Sequence, residues 1–126
     1  MATSQETRIV SVVAGSTVNI YRFVAMAADG QYDHPSAQGR IDGIAAEDGI
    51  TVGKALAMVI PNGAIAKVEA GAVFSAGQRV ASDANGKAIA AVSGAGNFRG
   101  GIALDASGAD GDIIRIQFLV DEDQVT

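Results

Sequence analysis

Six Asx-Gly dipeptides, Asp29-Gly30, Asp42-Gly43, Asp48-Gly49, Asn62-Gly63, Asn85-Gly86 and Asp110-Gly111, cut this 126-residue chain into pieces of strand length. Such pairs favour the positive φ that tight hairpin turns need, so their spacing predicts short antiparallel strands and leaves little room for helices. The turns come fastest between Val73 and Val120, and the last piece there is the clearest strand. Ile114, Ile116, Phe118 and Val120 fall on one face, with Arg115 and Gln117 on the other, the period-two pattern of a half-buried strand. Weaker strands are expected over Arg8 to Val13, Val18 to Val24, Ala55 to Ile60, Ala64 to Glu69, Arg79 to Ser82, Ala88 to Val92 and Arg99 to Leu104. Only Val52 to Val59, rich in Ala, Leu and Met, offers a credible helix instead.

The chain also repeats itself. Gly43-Ile44-Ala45 recurs as Gly101-Ile102-Ala103, and at that spacing Glu47 meets Asp105, Gly53 meets Gly111, and Leu56, Met58 and Ile60 meet Ile114, Ile116 and Phe118. The strand at Ile114 thereby argues for a strand, not a helix, at Val52 to Val59. Upstream, Ala14-Gly15-x-x-Val18 echoes Ala76-Gly77-x-x-Val80, and Asp29-Gly30 echoes Asn85-Gly86, which assigns the longer loop to the first copy. The expectation is an all-β fold with little or no helix: a compact β-sandwich or small barrel built from two similar units. The division that follows is an N-terminal arm over residues 1–8, one β domain over 9–120 with copies at about 14–60 and 76–118, and an acidic tail over 121–126.

Composition narrows the function. Apolar residues make up 48% of the chain but aromatic residues only 5%, so many buried side chains are alanines that remove little area from water, and association is the expected remedy. A formal charge of −5 argues against direct contact with nucleic-acid phosphates. The absence of cysteine removes disulfides and thiolate chemistry, and fits synthesis in a reducing cytoplasm. No signal-peptide core and no apolar run of membrane-spanning length occurs, so a soluble, non-membrane protein is expected.

No catalytic constellation emerges. His34 is the single histidine and sits beside Pro35 in the polar segment Gln31 to Gly39, where a surface-loop role is expected, and one histidine builds neither a His-based metal cluster nor a triad. The run Asp105 to Asp112 has the acidic spacing of a calcium loop, but Ala109 occupies its fifth position and the bidentate Glu is missing, so a solvated turn is expected. Gly94 to Gly101 lacks the phosphate-loop spacing and the helix that would follow it, and reads as a hairpin. Asp121, Glu122 and Asp123 read as a solvated chain end. Catalytic, metal and cofactor sites are therefore assigned to none of these residues.

Two resemblances give function a direction. Gly63 to Gly71, followed by Ala76-Gly77-Gln78, looks like half of a biotinyl or lipoyl carrier domain, with Lys87 as the modified residue, but the Met flanks of a biotinyl lysine are absent. The fuller match, over roughly residues 8 to 120, is to the capsid cement, or head decoration, proteins of tailed bacteriophages. It rests on Val68-Glu-Ala-Gly71, Ala76-Gly77-x-x-Val80, Ser82-Asp-Ala-Asn-Gly-Lys87, Gly101-Ile-Ala103, and Gly111 with its closing strand. Gly43-Ile-Ala45 fits the family's first half. The resemblance implies a non-enzymatic virion protein without cofactor, usually a homotrimer, that binds the outer surface of an assembled head and clamps neighbouring major capsid proteins. The expected capsid-binding element is the polar arm, Thr3, Ser4, Gln5, Glu6, Thr7 and Arg8, adding a strand to an exposed edge of the shell.

Overall fold

The computed structural model describes residues 8–92, 94 and 96–122. Ten strands run through it: β1 (Ile9–Val13), β2 (Phe23–Met26), β3 (Tyr32–Asp33), β4 (Gly43–Ala45), β5 (Ala55–Val59), β6 (Ile65–Glu69), β7 (Arg79–Ser82), β8 (Ala88–Ala90), β9 (Phe98–Ala103) and β10 (Ile113–Glu122). They form two five-stranded antiparallel sheets, ordered β1-β5-β4-β2-β3 and β6-β10-β9-β7-β8. Neither closes into a barrel, and no helix occurs among the described residues, so the all-β sandwich is the architecture. Val52 to Val59 accordingly contributes β5: Leu56 and Met58 are buried while Ala55 is exposed, an alternation that serves a sheet face and not a helix.

The two sheets are the same sheet drawn twice. Ile9 pairs with Val59 as Ile65 pairs with Gln117; Phe23 with Ile44 as Arg79 with Ile102; Met26 with Tyr32 as Ser82 with Ala88. Turn contacts repeat as well. The Gly15 amide donates to the Tyr32 carbonyl and the Gly71 amide to the Ala88 carbonyl, both at 2.8 Å. Val18 and Ile50 exchange backbone bonds, and so do Phe74 and Ser107. These bonds set Ala14-Gly15-x-x-Val18 on Ala70-Gly71-x-x-Phe74, not on Ala76-Gly77-x-x-Val80. The extra residues then belong to the second repeat, in the connection from β8 to the Gly101-Ile102-Ala103 part of β9. Ala-Gly is too common here for spacing alone to choose among its copies.

Each repeat buries its own inner face. Ala14, Val18, Val24, Ala45, Leu56 and Met58 cluster in the first repeat. Their counterparts Ala70, Phe74, Val80, Ala103, Ile114 and Ile116 cluster in the second, and there the core continues across the sandwich to Phe23, Ile41 and Ile44 of the first. The ring centroids of Phe23 and Phe118 lie 6.1 Å apart, within the range where tilted aromatic pairs attract beyond their area. The segment between Val18 and Val24 is broken as a strand by Tyr21, whose φ is 65°. Phe23 starts β2 only after that turn.

Candidate functional site

The surfaces that the two repeats present are the candidate functional surfaces, and the junction between the repeats sets how those surfaces are held. Arg22, just before β2, reaches across it. Its Nε lies 3.3 Å from Glu69 Oε1, and one Nη donates to the Asn85 carbonyl at 3.0 Å. Lys87 stands at 3.4 Å from Glu69 and 2.9 Å from Asp110. The side chains of Arg22 and Glu69 are only 14% and 20% exposed, so this pair is screened less than a surface pair. Backbone bonds complete the joint: the Phe23 amide donates to the Gly86 carbonyl (2.7 Å), Glu69 to Tyr21 (2.8 Å) and Gln38 to Ser82 (2.8 Å). The repeats are thus locked side by side.

Lys87 is not presented as a carrier lysine would be. Asn85 and Gly86 form the hairpin tip and press against the first repeat, while the Lys87 ammonium points back into the junction. Its hydrogen bond to Asp110, helped by Glu69, raises its pKa from the ordinary lysine value.

His34 also departs from a surface-loop role. The polar segment around it contains the short strand β3 and a buried Pro35, and the histidine ring lies against the Gly86 turn. Its Nε2 is buried without a hydrogen-bond partner. Burial, with the Arg22 charge nearby, lowers the pKa below the usual histidine value of 6.5.

The acidic run Asp105 to Asp112 spends its carboxylates internally. Asp105 grips Arg115 with bonds of 3.0 Å to Nε and 2.9 Å to Nη, which holds its pKa down at about 2. Asp112 accepts from the Gly108 and Ala109 amides, and Asp110 faces Lys87. No group of three or more His, Cys, Asp or Glu side chains placed to hold a metal stands among the described residues. In the Gly94 to Gly101 hairpin, the Asn97 amide donates to the Gly94 carbonyl and the Phe98 amide to Gln38.

Of the expected capsid-binding arm, Thr3, Ser4, Gln5, Glu6 and Thr7 lie outside the described residues. Arg8 is exposed, and its carbonyl accepts from the Ile60 amide at 3.0 Å. Arg8 leads directly into β1, an edge strand of its sheet. Asp121 at the other end is tied to Arg99 at 2.7 Å and Arg79 at 3.6 Å, so the start of the acidic tail is anchored. Asp123 lies outside the described residues.

Two surface features had no sequence signal of their own. A cleft of about 330 Å³ opens between the repeats, walled by Tyr21, Ala46 and Val59 on one side and Ile65, Lys67 and Arg115 on the other. The outer face of the second sheet leaves Ile65, Ile102, Leu104 and Leu119 exposed. Scattered apolar residues on a surface need no explanation, but four on one sheet face form a patch of the kind that partners cover.

The profile of the phage cement protein family matches residues 4–118. This chain belongs to that family. It is therefore grouped with capsid-associated structural proteins of phages and not with the carrier domains. Among solved structures, the head fiber gp8.5 N base of bacteriophage phi29 superposes with a TM-score of 0.71 at 18% identity, covering 90% of this chain and 94% of that one. At that identity the likeness speaks for the fold, and the phi29 base has this β architecture. No curated protein matches the chain.

Proposed function

We propose that this cement-family chain decorates the outer surface of an assembled phage head and stabilises it by clamping neighbouring major capsid proteins. Membership of the family over residues 4–118 is the observation that carries the reading. The body described above suits it: two interlocked repeats, with Arg22, Glu69, Lys87 and Asp110 paired with one another at the joint. The mechanism is mass action, because a ligand that binds only the expanded shell shifts the equilibrium toward it. Repetition by capsid symmetry multiplies weak contacts into avidity. The protein acts in the virion after synthesis in the host cytoplasm, as a homo-oligomer for which a trimer is expected.

The arm, Thr3 to Arg8, is the proposed capsid-binding element. Its polar sequence, followed directly by the edge strand β1, favours strand addition to an exposed sheet edge of the shell. Removing residues 2–7 and measuring co-sedimentation with undecorated expanded heads tests it. Lost binding with an unchanged far-ultraviolet spectrum is expected, and undiminished binding would overturn the arm's role while leaving decoration by the β body open to the same assay.

A further inference from the structure

The matching strand order of the two sheets turns a contact inside the chain into a template for a contact between chains. Within the chain, the outer face of the first sheet, marked by Phe23, Ile44 and Val59, is covered by the second repeat. Where β2 begins, at the margin of this face, the Asn85-Gly86 hairpin is pressed so closely that a Cβ on Gly86 would stand 2.6 Å from the Phe23 carbonyl oxygen.

Both halves of this contact have a counterpart that is left open. On the second sheet, Arg79, Ile102 and Gln117 occupy the register positions of Phe23, Ile44 and Val59. Ile102 is 36% exposed where Ile44 is 1% exposed. On the first repeat, Asp29-Gly30 is the counterpart of Asn85-Gly86, and nothing lies within 4 Å of where a Gly30 Cβ would sit. Beside it Met26 is 47% exposed, while its counterpart Ser82 is fully buried in the junction.

We propose that a second copy of this chain docks its Asp29-Gly30 side onto the Arg79, Ile102 and Gln117 face, repeating between chains the contact that joins the repeats within one. The contact is head-to-tail. It uses different surfaces on the two copies, leaves one of each free at the ends, and so builds a ring where the rotation closes. Charge suits this seating: Asp29 is exposed on one docking surface, and on the other Arg79 is half-exposed, facing Asp121 at 3.6 Å with room for a second carboxylate from the incoming copy. The exchange of Phe23 and Val59 for Arg79 and Gln117 suits a face that stays in water until its partner arrives, since interfaces between separable chains are more polar than cores. The inference rests on the self-association included in the proposed function and gives it an address; it does not depend on capsid binding.

Sedimentation equilibrium of the full chain across micromolar concentrations tests it, with circular dichroism to confirm that each variant is folded. The wild type is expected to exceed the monomer mass. Arg79→Asp and Ile102→Asp should each weaken association about tenfold or more, as like charges or a buried carboxylate would do at a docked face. The double variant Asp29→Arg/Arg79→Asp should recover what the single Arg79→Asp loses. A wild-type oligomer unmoved by both single variants would overturn this contact while leaving self-association standing. A wild type that stays monomeric throughout would overturn both, and head binding would still be read separately by co-sedimentation.

Discussion

Replacing Phe23 by alanine removes the side chain that joins the two repeats. Phe23 is fully buried, belongs to the core of the second repeat although it is carried by the first, and stacks at a tilt on Phe118 with centroids 6.1 Å apart. Truncating a buried phenylalanine costs about 3–5 kcal/mol, because transfer free energy is lost and a cavity remains. Little collapse is available here: the ring is met by Gly100, where even a methyl group would come within 2.9 Å of it, and the backbone on both sides is hydrogen-bonded. We therefore expect about 4 kcal/mol, a large fraction of the roughly 5–15 kcal/mol that holds an ordinary domain. With an unfolding entropy near 2.1 cal/mol/K per residue, that corresponds to a melting temperature lower by about 15 °C. Urea unfolding followed by far-ultraviolet circular dichroism measures it, and a cycle with Phe118→Ala isolates the ring pair, expected at about 0.5–1.5 kcal/mol. A cost below about 1 kcal/mol would show that the repeats are not joined through this residue and would refute the shared-core reasoning.

Other consequences follow from single residues. Gly101 has φ 139° and an added methyl would run into the Gln117 carbonyl oxygen, so Gly101→Ala should destabilise by about 2 kcal/mol or more in the same urea experiment. Asp105 titrates at about 2 in the folded protein against 3.8 ordinarily; its stabilising pairing with Arg115 is complete above pH 4 and lost as pH falls through 2. A carboxyl NMR titration should show that midpoint, returning toward the ordinary value in Arg115→Gln. His34 has the opposite charge logic: a pKa below 6.5 in the folded state means the unfolded chain binds its proton first, so stability declines as pH drops below 6.5. Urea midpoints at pH 7.5 and 5.5 should show that decline, and a slope unchanged in His34→Gln would contradict it.

The strands that carry an unmistakable alternation were legible in the sequence. Ile114, Ile116 and Phe118 face inward as their spacing requires, and the repeated Gly-Ile-Ala placed β4 and β9 in matching positions. Harder to read was whatever depends on contacts between the repeats. Tyr32-Asp33 is too short and polar to announce β3, and its neighbour His34 is half-buried, with the Gly86 hairpin of the other repeat lying against its ring. Ala14-Gly15 could be matched to either Ala70-Gly71 or Ala76-Gly77 by composition, and only the backbone bonds to Tyr32 and Ala88 decide for the former. The unequal fate of Ile44 and Ile102, identical residues at equivalent positions, is a tertiary fact with no local signature.

The function proposed for this chain depends on its binding an assembled phage head from outside. Cryo-electron microscopy of the protein mixed with expanded, undecorated heads of the phage that encodes it tests this most directly. Density added at symmetry-related positions on the outer surface is the predicted result; heads that remain bare at saturating protein would contradict it.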